Sequence, residues 1–279
     1  MGIRIIIDST TDLGTENQLT TVPLTIRFGD AEYVHGVDMD NAEFYNRLTS
    51  SDVMPTTSQP APAAFEKVFR EAVEAGDTVI CIIISQKLSG TYQSASIAAE
   101  EFPGSVFVTD SGSAAIGAGI LVQYAQRLVR EGACTAQILR ELEEQKKRIR
   151  ILAMVDTLEY LKKGGRISKT VAFAGELLQV KPVLCVQNGE IKMVGKARGA
   201  KQGNLQLIKE IANAGGMDRS MPFLLGYTGQ HSDGLQRFIA DSPKLWEGLE
   251  GEPPQSIVGS VVGTHAGPGA VAVAFFAAE

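Results

Sequence analysis

The sequence predicts an α/β protein of two domains: an N-terminal domain with a three-layer parallel sheet, and a C-terminal domain with a two-layer mixed sheet. With 279 residues, the chain is long enough for two domains of ordinary size. In the first half, short apolar runs alternate with stretches of helical periodicity, which is typical of a parallel sheet covered on both faces. In the second half, Asn188-Gly189 separates two apolar runs. This pair indicates a hairpin, and therefore a mixed sheet.

Residues 1–150 are assigned to the N-terminal domain. Its strands are predicted at residues 3–7, 22–28, 78–84 and 105–109. One helix is expected after the capping residue Asp40, because Glu43 follows three residues later. Another is expected to begin at Pro60 or Pro62, since proline favours the first helical turn. Further helices are predicted at residues 92–102, 114–130 and 135–148.

Residues 151–279 are assigned to the C-terminal domain. Strands are predicted at residues 151–155, 183–187, 190–194, 222–227 and 256–262, before a final apolar run over 270–278. Helices are predicted at 170–180, 200–213 and 232–240, together with a short one that ends at Gly164-Gly165.

Composition limits the classes of function. A net charge of -6 argues against nucleic-acid binding, because no basic stripe is available to neutralise phosphates. Three scattered cysteines, Cys81, Cys134 and Cys185, give no disulfide framework and fit a reducing compartment. The longest apolar run is too short to cross a bilayer, and no secretory signal pattern opens the chain. We therefore expect a cytoplasmic protein.

Several familiar kinds of active site lack their sequence signatures. The chain contains no phosphate-binding loop and no nucleophile elbow around Ser89. Gly117-Ala118-Gly119 lacks the third glycine of a dinucleotide fingerprint. No His, Cys or carboxylate pair has the spacing of a zinc site. We expect neither a metal nor a cofactor.

Two hydroxyl-rich segments are the main candidate for a binding site. The predicted strand 78–84 is followed by Ser89-Gly90-Thr91 at a helix start, and Thr57-Ser58 precede the proline-started helix. The carboxyl edge of a parallel sheet is where α/β proteins bind ligands, and helix N-termini favour anions. If the two helix starts face each other in one sheet, their hydroxyls and N–H groups suit a carboxylate. A hydroxyl residue at such a position is also an ordinary helix cap.

Three further polar residues stand in predicted turns. Arg166 follows a glycine pair, and Arg198 follows the hairpin; for either arginine an ordinary surface ion pair is an alternative. His265 lies in a glycine-rich segment, 263–269, which is expected to connect two apolar strands. Its glycines permit close backbone approach.

Taken together, four motifs resemble the DegV family of bacterial fatty-acid-binding proteins, some of which serve as the acyl-carrying subunit of a fatty acid kinase. The resemblance extends from Asp8-Ser9-Thr10-Thr11-Asp12 to the final strand. Its motifs are Thr57-Ser58-Gln59-Pro60, Leu88-Ser89-Gly90-Thr91-Tyr92, Lys163-Gly164-Gly165-Arg166-Ile167 and Gly263-Thr264-His265-Ala266-Gly267-Pro268-Gly269.

The resemblance implies that a long-chain fatty acid, such as palmitate or oleate, is the only bound ligand and lies between the domains. Thr57 and Ser89 fall on the family's carboxylate-binding positions. Pocket-lining roles are implied for Ser58, Gly90, Thr91 and Gly267. His265 would lie beside the carboxyl group, and Arg166 and Arg198 near the entrance or the face that docks an ATP-dependent fatty acid kinase.

The energetics of this interpretation are favourable. Burying a sixteen-carbon chain contributes about 12 kcal/mol before ordering costs, enough to bring a carboxylate out of water if hydroxyls and N–H groups replace its hydration. Val171, Phe173, Leu177 and Leu178 are candidates for a wall of the tunnel. Their spacing equally fits an ordinary helix core face.

Two alternatives remain open from the sequence. One is a hydrolase of acyl esters in which Ser89 is the nucleophile and His265 the base, although no acid is evident for the histidine. The other is a small-metabolite kinase domain, suggested by the fold relationship between DegV proteins and dihydroxyacetone kinases. The missing nucleotide motif argues against the second. The carrier interpretation predicts no independent catalysis.

Overall fold

The computed structural model describes residues 2–13, 19–167 and 180–278. In chain order, the strands are β1 (Ile3–Asp8), β2 (Thr20–Val22), β3 (Thr25–Phe28), β4 (Ala31–Val34), β5 (Thr56–Ser58), β6 (Thr78–Ile83), β7 (Val106–Asp110), β8 (Ile149–Met154), β9 (Val180–Gln187), β10 (Glu190–Arg198), β11 (Leu224–Tyr227), β12 (Gln255–Ile257) and β13 (Val271–Phe276). The α-helices are α1 (Asn41–Ser50), α2 (Pro62–Glu74), α3 (Thr91–Ala99), α4 (Ala115–Arg130), α5 (Thr135–Gln145), α6 (Glu159–Lys163), α7 (Gly199–Asn213), α8 (Asp233–Asp241) and α9 (Ser260–Ala266). Single 3₁₀ turns lie at Lys146–Arg148 and Pro243–Leu245.

The first half forms a parallel sheet between helices, as the sequence predicts. Its strand order is β2-β1-β6-β7, and every neighbouring pair is parallel. Successive side chains of a strand point to opposite faces. Accordingly, Ile5 and Ile7 pack on the side of α4 and α5, whereas Ile6 packs against α2 and α3. The predicted three-layer arrangement is confirmed.

The second half forms a mixed sheet in the order β10-β9-β8-β13-β11-β12. Only the pair β11 and β12 is parallel. Asn188 and Gly189 connect β9 to β10 with φ angles of 52° and 73°, the left-handed backbone that a two-residue hairpin turn requires. Helices α7 and α8 cover one face of the sheet, which makes two layers. Helix α4 covers the other face and also packs on β1 and β6.

A small antiparallel sheet, β4-β3-β5, corrects two predictions. The predicted strand 22–28 is two strands in different sheets, because Pro23 has no N–H with which to continue the ladder. Thr57 lies on β5 opposite Ile26, and α2 begins only at Pro62. The expectation that two helix starts of one sheet face each other is therefore wrong, since Thr57 comes from a separate sheet.

The third correction concerns His265. The predicted strand 256–262 ends at Ile257, and Ser260–Ala266 form helix α9 instead of a loop between strands. The β-branched run Val261-Val262 resembles a strand locally. Tertiary contacts override this preference, because Val261 packs into the cluster of Phe44 and Tyr45 beneath the small sheet.

The predicted helix 170–180 lies almost entirely outside the described residues. Within residues 2–13, 19–167 and 180–278, no helix has both the length and the apolar character needed to span a membrane.

Candidate functional site

An apolar cavity lies between the carboxyl end of the parallel sheet and one face of the mixed sheet. It encloses about 1000 Å³ of space not filled by atoms, its open mouth included. Most of its described lining residues are aliphatic or glycine. Hydrogen-bonding side chains on the lining are those of Thr57, Ser89, Arg166, Tyr227, Thr228 and His265.

The floor of the cavity is one face of the mixed sheet, on which small residues lie side by side on three neighbouring strands. Gly226, Ala272 and Ala153 lie directly opposite one another on β11, β13 and β8, and all three line the cavity. A Cβ atom on Gly226 would lie only 2.9 Å from Ile116 Cδ1. The absence of a side chain at Gly226 therefore lets Ile116, itself a lining residue, pack close to the sheet.

Helix α9 forms one wall of the cavity. Val261, Val262 and Ala266 contribute its apolar surface, and His265 lies in its last turn. The roof is made by residues at the end of β6 and the start of α4, among them Ile84 and Ile116. An acyl chain in this space would contact aliphatic groups on every described side.

At the polar end, Thr57 and His265 are in direct contact. Thr57 Oγ1 and His265 Nε2 are 2.9 Å apart. Gly164 allows this position of the ring, because a Cβ atom at Gly164 would lie 2.1 Å from His265 Nδ1. The contact joins the small sheet of the first half to α9 of the second.

Ser89 lies at the same end and is held by the turn that begins α3. Its Oγ is 2.8 Å from Thr91 Oγ1, and the Thr91 N–H donates to the same Oγ at 3.3 Å. Thr91 itself is fully buried, so its hydroxyl supports Ser89 from beneath. Gly90 leaves space for Gln59, whose amide would collide with any Cβ at that position and donates to Ser94 Oγ at 2.9 Å.

Arg166 brings positive charge to the polar end. Its Nε donates to Leu88 O at 3.1 Å and its Nη1 to Gly164 O at 2.6 Å. The guanidinium thus bridges the residue before Ser89 and the residue that packs on His265. Its place on the cavity lining makes Arg166 the cation positioned to meet a carboxylate there.

Burial sets the protonation state of the histidine. Burial first, and then the nearby Arg166 charge, lower the pKa of His265 from 6.5 to about 4. His265 is therefore neutral at physiological pH. Its Nδ1 atom is buried without a hydrogen-bond partner.

The remaining sequence-predicted residues are not part of the described lining of the cavity. Ser58 is exposed on β5. Gly267 ends α9 with φ 72°, and its Cα packs against the Tyr160 ring. Arg198 is exposed at the last position of β10. The four candidate wall residues Val171, Phe173, Leu177 and Leu178 lie outside the described residues.

The arrangement required for a serine hydrolase is not assembled. His265 contacts Thr57 and not Ser89, and Ser89 is bonded to Thr91. No described carboxylate accepts a hydrogen bond from His265 Nδ1, so the third group of a triad is missing there. Within the described part of the chain, no cluster of three or more His, Cys, Asp or Glu could hold a metal ion.

The residues that form the floor were not identified from the sequence. One signal was available: in the last strand, alanine recurs at 270, 272 and 274. Small residues at every second position mark one face of a strand, and the space above that face must be filled by other elements or by a ligand. Pairing of these alanines with Gly226 and Ala153 could not be deduced, because it depends on the register between distant strands.

Comparison with known proteins places the chain among relatives of the same length and fold. A DegV domain-containing protein of Deinococcus radiodurans is 34% identical over 288 residues, covering 98% of each chain. A solved DegV family protein of Thermus thermophilus, described for its fatty acid binding, is 35% identical with a TM-score of 0.90 over 100% of both chains. A stearic acid-binding protein of Eubacterium ventriosum is 29% identical with a TM-score of 0.88, covering 99% of this chain and 98% of its own. Since the DegV family model also matches residues 2–278, this chain belongs to the DegV family.

Proposed function

We propose that this protein binds one long-chain fatty acid, such as palmitate or oleate, and presents its carboxylate to a separate ATP-dependent kinase that forms the acyl phosphate. The observation that carries the proposal is the cavity itself, which is aliphatic along its length and polar at one end. The fatty acids described for the Thermus thermophilus and Eubacterium ventriosum proteins support the same ligand class.

The polar end offers what a buried carboxylate needs. Thr57 and Ser89 supply hydroxyl donors, and Arg166 supplies a cation that its backbone partners hold in place. Neutral His265 adds a hydrogen-bonding group without a second charge. Hydrogen bonds to a charged group are worth about 1.5–3 kcal/mol each, so these contacts offset the loss of water from the carboxylate.

The ligand would lie between two domains, divided near residue 150. All strands of the parallel sheet precede that position, and all strands of the mixed sheet except β8, which begins at Ile149, follow it. Helix α4 packs on both sheets. This shared helix, whose start contributes to the roof of the cavity, would hold the two domains together.

The proposed kinase step needs no catalytic group from this chain. The carboxylate oxygen attacks the γ-phosphorus of ATP, the bond to the ADP oxygen breaks, and the partner enzyme stabilises the transferred phosphoryl group. This chain holds the carboxylate and neutralises it with Arg166. His265 would help to orient the carboxylate for the partner enzyme. We therefore expect His265→Ala to retain the fatty acid but to support less acyl phosphate formation when a fatty acid kinase and ATP are supplied.

The binding proposal is tested by extracting the purified, denatured protein with organic solvent and by native mass spectrometry before and after addition of palmitate. We expect a mass increase of one fatty acid per chain. An apo mass alone under both conditions contradicts the proposal. Steady cleavage of p-nitrophenyl palmitate by the wild type, abolished in both Ser89→Ala and His265→Ala, would instead establish the hydrolase.

A further inference from the structure

The segment that leads into α9, residues 256–259, is held by residues that do not line the cavity. Asp12 Oδ1 accepts a hydrogen bond from the Gly259 N–H at 2.8 Å, and Asp12 O accepts one from Ser256 Oγ at 2.8 Å. Asp12 adopts a left-handed backbone with φ 50°, which is unusual for a residue other than glycine. Such strain persists only where surrounding contacts impose it.

A third hydrogen bond holds the same segment from helix α1. Tyr45, fully buried on α1, donates its hydroxyl to Val258 O at 2.7 Å. One turn further along α9, Gly263 has no side chain, and a Cβ atom there would lie 2.4 Å from the Tyr45 hydroxyl oxygen. Tyr45 therefore lies directly against the backbone of the helix.

These contacts fix the position of His265 at the other end. From Gly259 to His265 the chain rises about 9 Å along the helix axis, at 1.5 Å per residue. The side chain of His265 then meets Thr57. A short hydrogen-bonded helix moves as one rigid element. A shift at Gly259 would therefore also displace His265 relative to Thr57.

We propose that Asp12 and Tyr45 are positioning residues for the carboxylate site, acting through α9 on the contact between His265 and Thr57. The inference rests on the proposed binding of a fatty acid. It assigns to Asp12 and Tyr45 a role in ligand recognition although neither residue lines the cavity.

Three variants at Asp12 and Tyr45 test this role. Asp12→Gly removes the carboxyl group without backbone strain, because glycine adopts positive φ freely. Asp12→Asn keeps an acceptor oxygen for the Gly259 N–H, and burial raises the pKa of Asp12 well above its ordinary value. Tyr45→Phe removes only the hydroxyl. Leu48→Ala, on the same helix and in the same core cluster as Tyr45, is the structural control.

The measurement is the affinity for palmitate relative to hexadecanol, which has the same chain length but no carboxylate. We expect this ratio to fall about tenfold in Asp12→Gly and in Tyr45→Phe, equivalent to the loss of about 1.4 kcal/mol. It should stay within twofold of the wild type in Asp12→Asn and Leu48→Ala.

Two outcomes overturn the inference: an unchanged ratio in Tyr45→Phe and in Asp12→Gly, or an equal fall in Leu48→Ala. If Asp12→Gly does not fold, Tyr45→Phe decides alone. A wild type that binds no palmitate contradicts the proposed function, whereas palmitate binding with an unchanged ratio contradicts only the positioning role.

Discussion

At the polar end of the cavity, hydrogen bonds connect residues of the first half of the chain to residues of the second half. Thr57 contacts His265, and Arg166 reaches the carbonyl of Leu88 beside Ser89. The sequence identified these residues as one group from their types and motifs. It could not show that Thr57, and not Ser89, meets His265, because β5 reaches that place through pairing with β3 in a separate sheet.

The two hydroxyls should carry much of the recognition of the carboxylate. Thr57→Ala and Ser89→Ala each remove a donor to a charged group, and we expect palmitate affinity to fall roughly 10- to 100-fold. Displacement of a fluorescent fatty acid measures the change. Ser58→Ala is the matched control, since Ser58 neighbours Thr57 but is exposed. Equal affinities in all three variants would place the carboxylate elsewhere.

His265 should also make stability depend on pH. Its pKa is about 4 in the folded chain against 6.5 as the ordinary value, so below pH 6.5 the unfolded state binds a proton that the folded state excludes. Stability is therefore lost as pH falls, by on the order of 2 kcal/mol between pH 7 and pH 5. Urea unfolding of wild type and His265→Gln at both pH values isolates this contribution from the buried carboxyls of Asp8 and Asp12, whose raised pKa values act in the opposite direction.

The expected result for His265→Gln is a smaller loss of stability between pH 7 and pH 5 than in wild type. His231→Gln, at an exposed histidine, serves as the control. If His265→Gln and wild type lose the same stability, the histidine is protonated in the folded protein at pH 5.

At the scale of single elements, α9 shows where local pattern and tertiary structure disagree. Its valines suggest a strand, yet the contacts of Asp12, Tyr45 and Phe44 select a helix. Elements with stronger local signals were predicted well, among them α1 with its Asp40 cap and the hairpin at Asn188-Gly189. The Asp40 carboxylate accepts from the Glu43 N–H at 2.8 Å.

The end of α9 depends on a glycine for two separate reasons. Gly267 has φ 72°, and a Cβ atom there would lie 2.3 Å from the Tyr160 ring. Gly165 has φ 70° but nothing within 4 Å of such a Cβ. Both Gly→Ala variants carry the backbone strain, and only Gly267→Ala adds the collision, so we expect it to be about 1–3 kcal/mol less stable than Gly165→Ala. Chemical denaturation of the two variants measures this difference, and equal stabilities would show that Tyr160 moves aside freely.

At the scale of the whole molecule, the cavity exists because the parallel sheet and the mixed sheet both pack on α4. The space left between the two sheets lies over the small residues of the mixed sheet. The layers could be predicted, since they follow from element order and hydrophobic periodicity. The lining could not, because Gly226, Ala272 and Ala153 become neighbours only through the non-local pairing of β11, β13 and β8. Sequence patterns indicate which side of its strand or helix a residue occupies, but not which residues of other elements lie opposite it.

The central claim is that a fatty acid lies in this cavity with its carboxylate at Thr57, Ser89 and Arg166 and its chain over the small-residue floor. A crystal structure with 16-bromohexadecanoic acid tests it most directly, because anomalous scattering locates the bromine at the far end of the chain. The account predicts bromine inside the cavity among its aliphatic lining, with the carboxylate in hydrogen-bonding contact with Thr57 or Ser89. Bromine beside Thr57 and Ser89, or outside the cavity altogether, would contradict it.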